Sequence, residues 1–402
     1  MRIVFKTVAV LVLLVVVGIA VLFAALWLER RTELNLPAPR GSYAVGRTMF
    51  AWGDDTPDKV APVPGTKREL IVWIWYPAAV EQSKSTAAEY LPGPWRAAFQ
   101  EQGSGLMRFL TRDLSHVHPH AIADAAMSPQ EPSYPVVIMR GGASANVTNY
   151  STLAEDLASH GYVVVGIDAP YRTSVVVFPD GRVVMRARQN NPEAVAGQAS
   201  SHSLIELLTA WTADIGFVLD RLEQLNSSDP SGKFKGRLDM TRVGIFGHSF
   251  GGSQAAQFCS EDARCKAGID IDGIVLGSVV QTGLQQPFMF LLSDHSREAG
   301  PESDRVKAEI QSIYERLPPE RRVWAEIRGA NHFTFSDDGA LLKSRLFRTA
   351  LRLFGMLRID GRRQLAVTTH CVHSFFDAHL KSTGRPRVDL SLARYPEIQV
   401  VD

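Results

Sequence analysis

Arg242-Val-Gly-Ile-Phe-Gly-His-Ser249-Phe-Gly-Gly252 is the stretch on which the fold of this chain turns. It begins apolar and β-branched, becomes glycine-rich, and runs into Gln254-Ala-Ala-Gln-Phe258. That order predicts a buried strand, a sharp turn and a helix. Gly247-His248-Ser249-Phe250-Gly251 fits the G-x-S-x-G nucleophile elbow. A serine hydroxyl is a weak nucleophile until it stands exposed beside a base, and small flanking residues let the backbone turn tightly enough to expose it. The five-residue pattern alone arises by chance in roughly one chain of this length in ten. The flanking strand and helix therefore carry much of the argument. The plainer reading is a turn in which Ser249 caps the following helix.

Working outward, Glu69-Leu-Ile-Val-Trp-Ile-Trp-Tyr-Pro77 and Tyr134-Pro-Val-Val-Ile-Met139 read as buried strands. The second leads into Arg140-Gly-Gly-Ala-Ser-Ala145, a helix over 148–160 and a further strand, Tyr162 to Asp168. Strand, helix and strand in close succession indicate a parallel unit. Val175 to Val184 reads as a hairpin turning at Asp180-Gly181. Residues 187–200 are polar and expected to be mobile, and Leu204 to Leu225 forms a long amphipathic helix. Short strands follow at Ala267–Asp272, Pro287–Leu292 and Val323–Arg328, with a helix over Val306–Leu317 and closing helices near 340–357 and 364–381. Trp95, Phe99, Leu106, Phe109 and Leu110 recur at loosely helical spacing. They predict a helix packed on the body, with a lid or a membrane-dipping segment as the alternative.

The composition excludes some functions. In 402 residues, 43 Lys and Arg balance 42 Asp and Glu, so no basic excess points to nucleic acid. Three cysteines are too few for a disulfide scaffold. Cys259 and Cys265 could pair in an oxidising compartment or be unrelated core residues, and Cys371 has no evident partner in the sequence.

Thr7 to Leu28 carries no charge. As a helix it would span about 33 Å, enough to cross a bilayer. No small-residue cleavage site closes it, so an uncleaved anchor, with the membrane as partner through residues 7–28, is expected over a removed signal. Arg30 and Arg31 after the span favour a cytoplasmic body. The very short leading tail favours the opposite, and an extracytoplasmic body is the expectation. Residues 1–31 then form the anchor, 32–66 a Pro- and Gly-containing tether, 67–385 the catalytic domain, and 386–402 a tail.

The strand ends present Ser249, then an acid, then His332 on the loop Gly329-Ala-Asn-His332. Nucleophile, acid, histidine is the chain order of α/β-hydrolase triads. An imidazole can take the serine proton and return it to a leaving group, while a carboxylate fixes its tautomer. His248 lies inside the elbow, and His370, His373 and His379 fall within a helical pattern, so His332 is the expected base. Asp272 and Asp294 both end strands, and Asp270 should share a face with Asp272; the residue pattern leaves Asp272 and Asp294 open. Oxyanion donors are expected at the backbone N–H of Phe250 and at Gly142 or Ala143.

Several segments together resemble the platelet-activating-factor acetylhydrolases, or lipoprotein-associated phospholipases A2. These are the elbow from Gly236 to Gly252, Trp75-Tyr-Pro77, Leu157-Ala-Ser-His-Gly161, Gly268-Ile-Asp-Ile-Asp272 and Ile327-Arg-Gly-Ala-Asn-His332. The resemblance covers roughly residues 40–382. It implies an α/β-hydrolase fold, a mostly parallel sheet with helices on both faces, and a serine esterase of short-chain or oxidised acyl esters, working without metal or cofactor. It also places the acid at Asp272, 23 residues after Ser249. The chain departs from the family at Arg140, where His is usual, and at Gly273, where an aromatic is usual. The rivals are another esterase of the same fold, of polyester or dienelactone type, and a silent membrane-tethered binding module. Acyl length, headgroup and oligomeric state are not legible.

Overall fold

The computed structural model describes residues 2–79, 86–102, 112–143, 145–191, 201–294, 300–341, 348–349, 352–353, 358–381 and 387–401. Its centre is a ten-stranded sheet. In chain order the strands are β1 (Ala44–Pro57), β2 (Lys67–Ala78), β3 (Ile122–Ala123), β4 (Tyr134–Arg140), β5 (Val163–Asp168), β6 (Leu238–His248), β7 (Cys265–Ile271), β8 (Phe288–Leu292), β9 (Arg322–Ile327) and β10 (Ile398–Val400). Across the sheet they lie in the order β10-β9-β8-β7-β6-β4-β5-β2-β1-β3. From β9 to β5 neighbours run parallel, while β2 pairs antiparallel with both β5 and β1. This is the expected α/β-hydrolase arrangement.

Strand β2 shows how sequence makes the two layers. Leu70, Val72, Ile74 and Tyr76 pack into one apolar cluster, and Ile71, Trp73 and Trp75 into another. Alternation sends successive side chains to opposite faces, so a strand apolar at every position must be covered on both. Each such side chain contributes roughly 1.5–3 kcal/mol on burial. Helices α1 (Arg2–Arg30), α2 (Gly93–Gln102), α3 (Ser151–Ser159), α4 (Ser201–Ser228), α5 (Phe250–Glu261), α6 (Pro301–Arg316) and α7 (Gly361–Phe376) follow the chain. Phe258 of α5, Val218 of α4 and Ile313 of α6 cover one face; Leu153 of α3 and Val372 of α7 cover the other.

The structure departs from the sequence reading at both ends of the body. The stretch read as a tether contains β1, which pairs with β2 from Ala44↔Ala78 to Pro57↔Lys67. Its prolines and glycines lie outside or at the ends of the alternating run Arg47-Thr-Met-Phe-Ala-Trp52, which is what the sheet uses. The junction before it is also fastened. Arg112 Nη1 donates to the carbonyls of Glu29 (3.3 Å) and Thr32 (2.9 Å). Leu34-Asn35 pairs with Val117-His118, and the Glu33 carboxylate bonds His116 Nδ1 at 2.8 Å and also meets His118. The stretch read as a tail supplies β10, antiparallel to β9.

Helix α1 includes Val10–Arg30, whose apolar window has a mean hydropathy of 3.1 and no residue buried among the described residues. It is long and apolar enough to cross a membrane. The hairpin forms as Val175–Val177 against Val183–Met185, with Gly181 at φ +87°. Asn190, in the stretch expected to be mobile, is buried, and its amide donates to Val60 O (2.8 Å) and Tyr171 O (3.1 Å). Trp95 of α2 is buried against Trp73, as a packed helix requires; Leu106, Phe109 and Leu110 lie outside the described residues, as do residues 192–200 and much of the helix expected at 340–357.

Candidate active site

Parallel pairing aligns the strand ends that carry the site. Gly247 stands opposite Arg140, His248 opposite Ile271, and Ile271 opposite Leu291. The loops leaving β4, β6 and β7 thus share one rim, where ligand sites of open parallel sheets form.

Ser249 occupies the turn between β6 and α5 with φ +56° and ψ −126°. A non-glycine residue held there stores on the order of 1–3 kcal/mol of strain, which the surrounding packing must enforce. A Cβ on Gly247 would lie 1.9 Å from the Gly251 carbonyl oxygen, so only glycine permits the crossing. The Ser249 side chain caps nothing in α5. Its Oγ is 3.0 Å from His332 Nε2 instead. His332 Nδ1 is 2.8 Å from Asp272 Oδ2, and Asp272 Oδ1 accepts the Ser293 N–H at 2.7 Å. Since a carboxylate can only accept, Nδ1 carries the proton and Nε2 is left to accept from the serine.

Backbone geometry separates Asp270 from Asp272, which strand alternation could not do. Strand β7 ends at Ile271, and Asp272 takes φ +52°, which breaks the alternation and swings its side chain toward the rim. Asp270 stays in the strand, fully buried, where Oδ1 accepts the Gly273 N–H (2.8 Å) and burial pushes its carboxyl well above the usual range. A Cβ on Gly252 would strike that carboxylate at 1.8 Å, which accounts for the second glycine after the elbow. Asp294 braces the histidine loop: Oδ2 accepts from Gly329 N (2.8 Å) and from Arg358 Nη1 (3.3 Å).

The loop after β4 packs on the nucleophile. A Cβ on Gly142 would lie 3.4 Å from Ser249 Cβ. The Gly142 N–H, however, donates to Tyr150 Oη at 3.0 Å. Arg140, in the place where the family has His, is buried; its Nε donates to Gln254 Oε1 (2.6 Å) and its Nη1 to Ile167 O (2.9 Å), locking β4 to α5 and β5. Ala143 and Phe250 share an apolar cluster with Leu207, Leu208 and Trp211, and the Trp211 indole meets the Phe250 ring edge-on at 5.0 Å. Behind the loop, Arg140, Ala143, Arg172 and Trp211 enclose a cavity of about 10 Å³, scarcely one water.

Sequence reasoning overlooked Tyr150, the bonding of His248, and Asp337. The last accepts from Ser151 N (3.0 Å) and Thr152 N (3.1 Å), joining the histidine loop to the start of α3, and burial pushes its carboxyl up to about 8. No spacing rule links residues so far apart in the chain. His370 and His373 pack, as expected, within α7, His373 stacked on His160 at 4.2 Å. Cys259 and Cys265 form a disulfide with Cα atoms 5.1 Å apart, and Cys371 is buried and free.

The sequence profile of the platelet-activating factor acetylhydrolase, isoform II, family matches residues 29–177 and 212–385. The chain belongs to that family. It is 27% identical over 288 residues to a probable 1-alkyl-2-acetylglycerophosphocholine esterase of Arthroderma benhamiae, an alignment covering 67% of this chain and 66% of the fungal protein. It is 25% identical over 346 residues to the platelet-activating factor acetylhydrolase of Cavia porcellus, covering 78% and 73%. A ferulic acid esterase from Streptomyces cinnamoneus superposes with a TM-score of 0.74 at 26% identity, over 92% of this chain and 100% of that one. This acetylhydrolase-family member is accordingly a carboxylic ester hydrolase with the α/β-hydrolase fold.

Proposed function

We propose that this protein hydrolyses short-chain or oxidised acyl esters, phospholipids among them, through an acyl-Ser249 intermediate. The observation that carries the reading is the unbroken relay Asp272–His332–Ser249, at 2.8 and 3.0 Å. Ser249 Oγ attacks the ester carbonyl as His332 Nε2 takes its proton. Asp272 supports the imidazolium so formed. His332 then returns the proton to the departing alkoxide, leaving the acyl group on Ser249. Water repeats the sequence, its proton passing to His332 and on to Ser249, and the carboxylate leaves.

For the developing oxyanion, the donors we assign are the N–H of Phe250, in the first turn of α5, and that of Ala143. Gly142 shares the loop, but its N–H is engaged with Tyr150. Each such donor is worth about 3 kcal/mol in the transition state. The close packing of Leu207, Leu208 and Trp211 around Ala143 and Phe250, with a gap there that scarcely holds one water, supports a short acyl group over a long one.

The names of the relatives support a phospholipid substrate. The superposition on a ferulic acid esterase supports a second reading, a soluble-ester carboxylesterase. Turnover of p-nitrophenyl esters of graded chain length, beside an oxidised phospholipid in vesicles, separates them. The first reading expects activity on the vesicle substrate and a steep fall beyond short acyl chains; activity on soluble esters alone removes it. The apolar α1 supports a membrane anchor, and the Cys259–Cys265 disulfide supports an extracytoplasmic body.

A further inference from the structure

Four groups form a hydrogen-bonded chain whose direction follows from donor chemistry once His248 is neutral, as its burial favours. His248 Nε2 lies 2.9 Å from the backbone carbonyl of His332. A carbonyl only accepts, so Nε2 carries the proton. The neutral ring then has a bare Nδ1, which accepts from Tyr150 Oη at 2.8 Å. Tyr150 Oη, its proton spent, accepts the Gly142 N–H at 3.0 Å. The bridge therefore runs Gly142 N–H to Tyr150 O–H to His248 Nδ1, and from His248 Nε2–H to the His332 carbonyl. Tyr150 and His248 are both buried, so water competes poorly for these bonds. A neutral His248 is also what the site needs, because its ring centroid lies 4.6 Å from that of His332, where an imidazolium forms in every turnover. Burial and His332 push His248 down to about 3.

We infer that Tyr150 and His248 are positioning residues for the hydrolysis: through this bridge they hold the oxyanion loop at Gly142–Ala143 and the His332 backbone in one fixed register around Ser249. Both act through other groups, Tyr150 on the Gly142 N–H and His248 on the His332 carbonyl. Asp337 separately ties the chain that follows His332 to the start of α3, through Ser151 N and Thr152 N, so the fold near the site does not hang on the bridge alone.

The inference rests on the acyl-serine reading above, and the test separates the two. Full-length wild type, Ser249→Ala, Tyr150→Phe, His248→Phe, His248→Gln and the double variant Tyr150→Phe/His248→Phe are assayed on p-nitrophenyl acetate, well below each melting temperature. Tyr150→Phe and His248→Phe should each lower kcat up to about 100-fold, the cost of a misplacement near 1 Å, with KM within about threefold. The double variant should be no worse than the worse single one, because either change breaks the same bridge. His248→Gln, which keeps a donor for the His332 carbonyl, should recover part of kcat. Unchanged kcat, additive losses in the double variant, or a loss carried by KM would overturn the bridge. Retained activity in Ser249→Ala would overturn the acyl-serine reading and the inference with it.

Discussion

At the residue scale, the two candidate acids make different bonds, and that difference is measurable. Asp272→Asn should lower kcat about 10⁴-fold, because an amide offers His332 Nδ1 a mixed donor and acceptor and destabilises the working tautomer. Asp294→Asn keeps an oxygen for the Gly329 N–H and should cost less than about tenfold. Steady-state kinetics on one short ester ranks them; the reverse order would move the acid to Asp294. His248 gives a second prediction, in stability. Its imidazole titrates near 3 in the fold, against about 6.5 unfolded. Between those values the unfolded chain binds the extra proton, so the stability contributed is complete above about pH 6.5 and is lost as pH falls toward 3. The slope is at most about 1.4 kcal/mol per pH unit. Melting temperatures at pH 7 and pH 5 should therefore diverge more for wild type than for His248→Gln.

At the scale of elements, the elbow was legible because each of its parts has one physical purpose: β-branched residues to bury, glycines to cross, a serine to expose. Gly247→Ala is expected to cost more than about 3 kcal/mol, since its methyl would overlap the Gly251 carbonyl; an unfolding free energy by denaturant within about 1 kcal/mol of wild type would contradict that. The sequence order Ser249, Asp272, His332 likewise marked three side chains that the fold brings within hydrogen-bond distance. What pattern could not reach was the turn at Asp272, where a positive φ overrides strand periodicity, and the contacts of Tyr150 and Asp337, which exist only once distant loops meet. Strand β1 was missed because prolines and glycines near its ends outweighed the alternation inside it. The Cys259–Cys265 bridge ties the end of α5 to the start of β7, the strand that presents Asp272. Closing so short a loop is worth about 2 kcal/mol in the chain-entropy account, so reduction should lower the melting temperature by about 2–3 °C while leaving kcat on a soluble ester nearly unchanged.

For the whole molecule, the apolar cluster around Ala143 and Phe250 sets an expectation about substrates. Trp211→Ala removes the indole packed on Phe250 and enlarges the cavity behind Ala143. It should shift the preference from acetate toward longer esters, raising the octanoate-to-acetate ratio of kcat/KM at least about tenfold. An unaltered ratio would place the acyl group elsewhere. The end of the apolar helix is hydrogen-bonded to the body, residues 29–35 being fastened onto 112–118.

Strand β10 has a practical consequence for anyone preparing this protein. Residues 398–400 cover the outer edge of β9 and come from the last few positions of the chain. A truncation at 385, chosen to discard an apparently dispensable terminus, would uncover the backbone donors and acceptors of β9 to neighbouring molecules. Such a preparation should aggregate on concentration, and affinity handles belong at a distance from Asp402, behind a spacer.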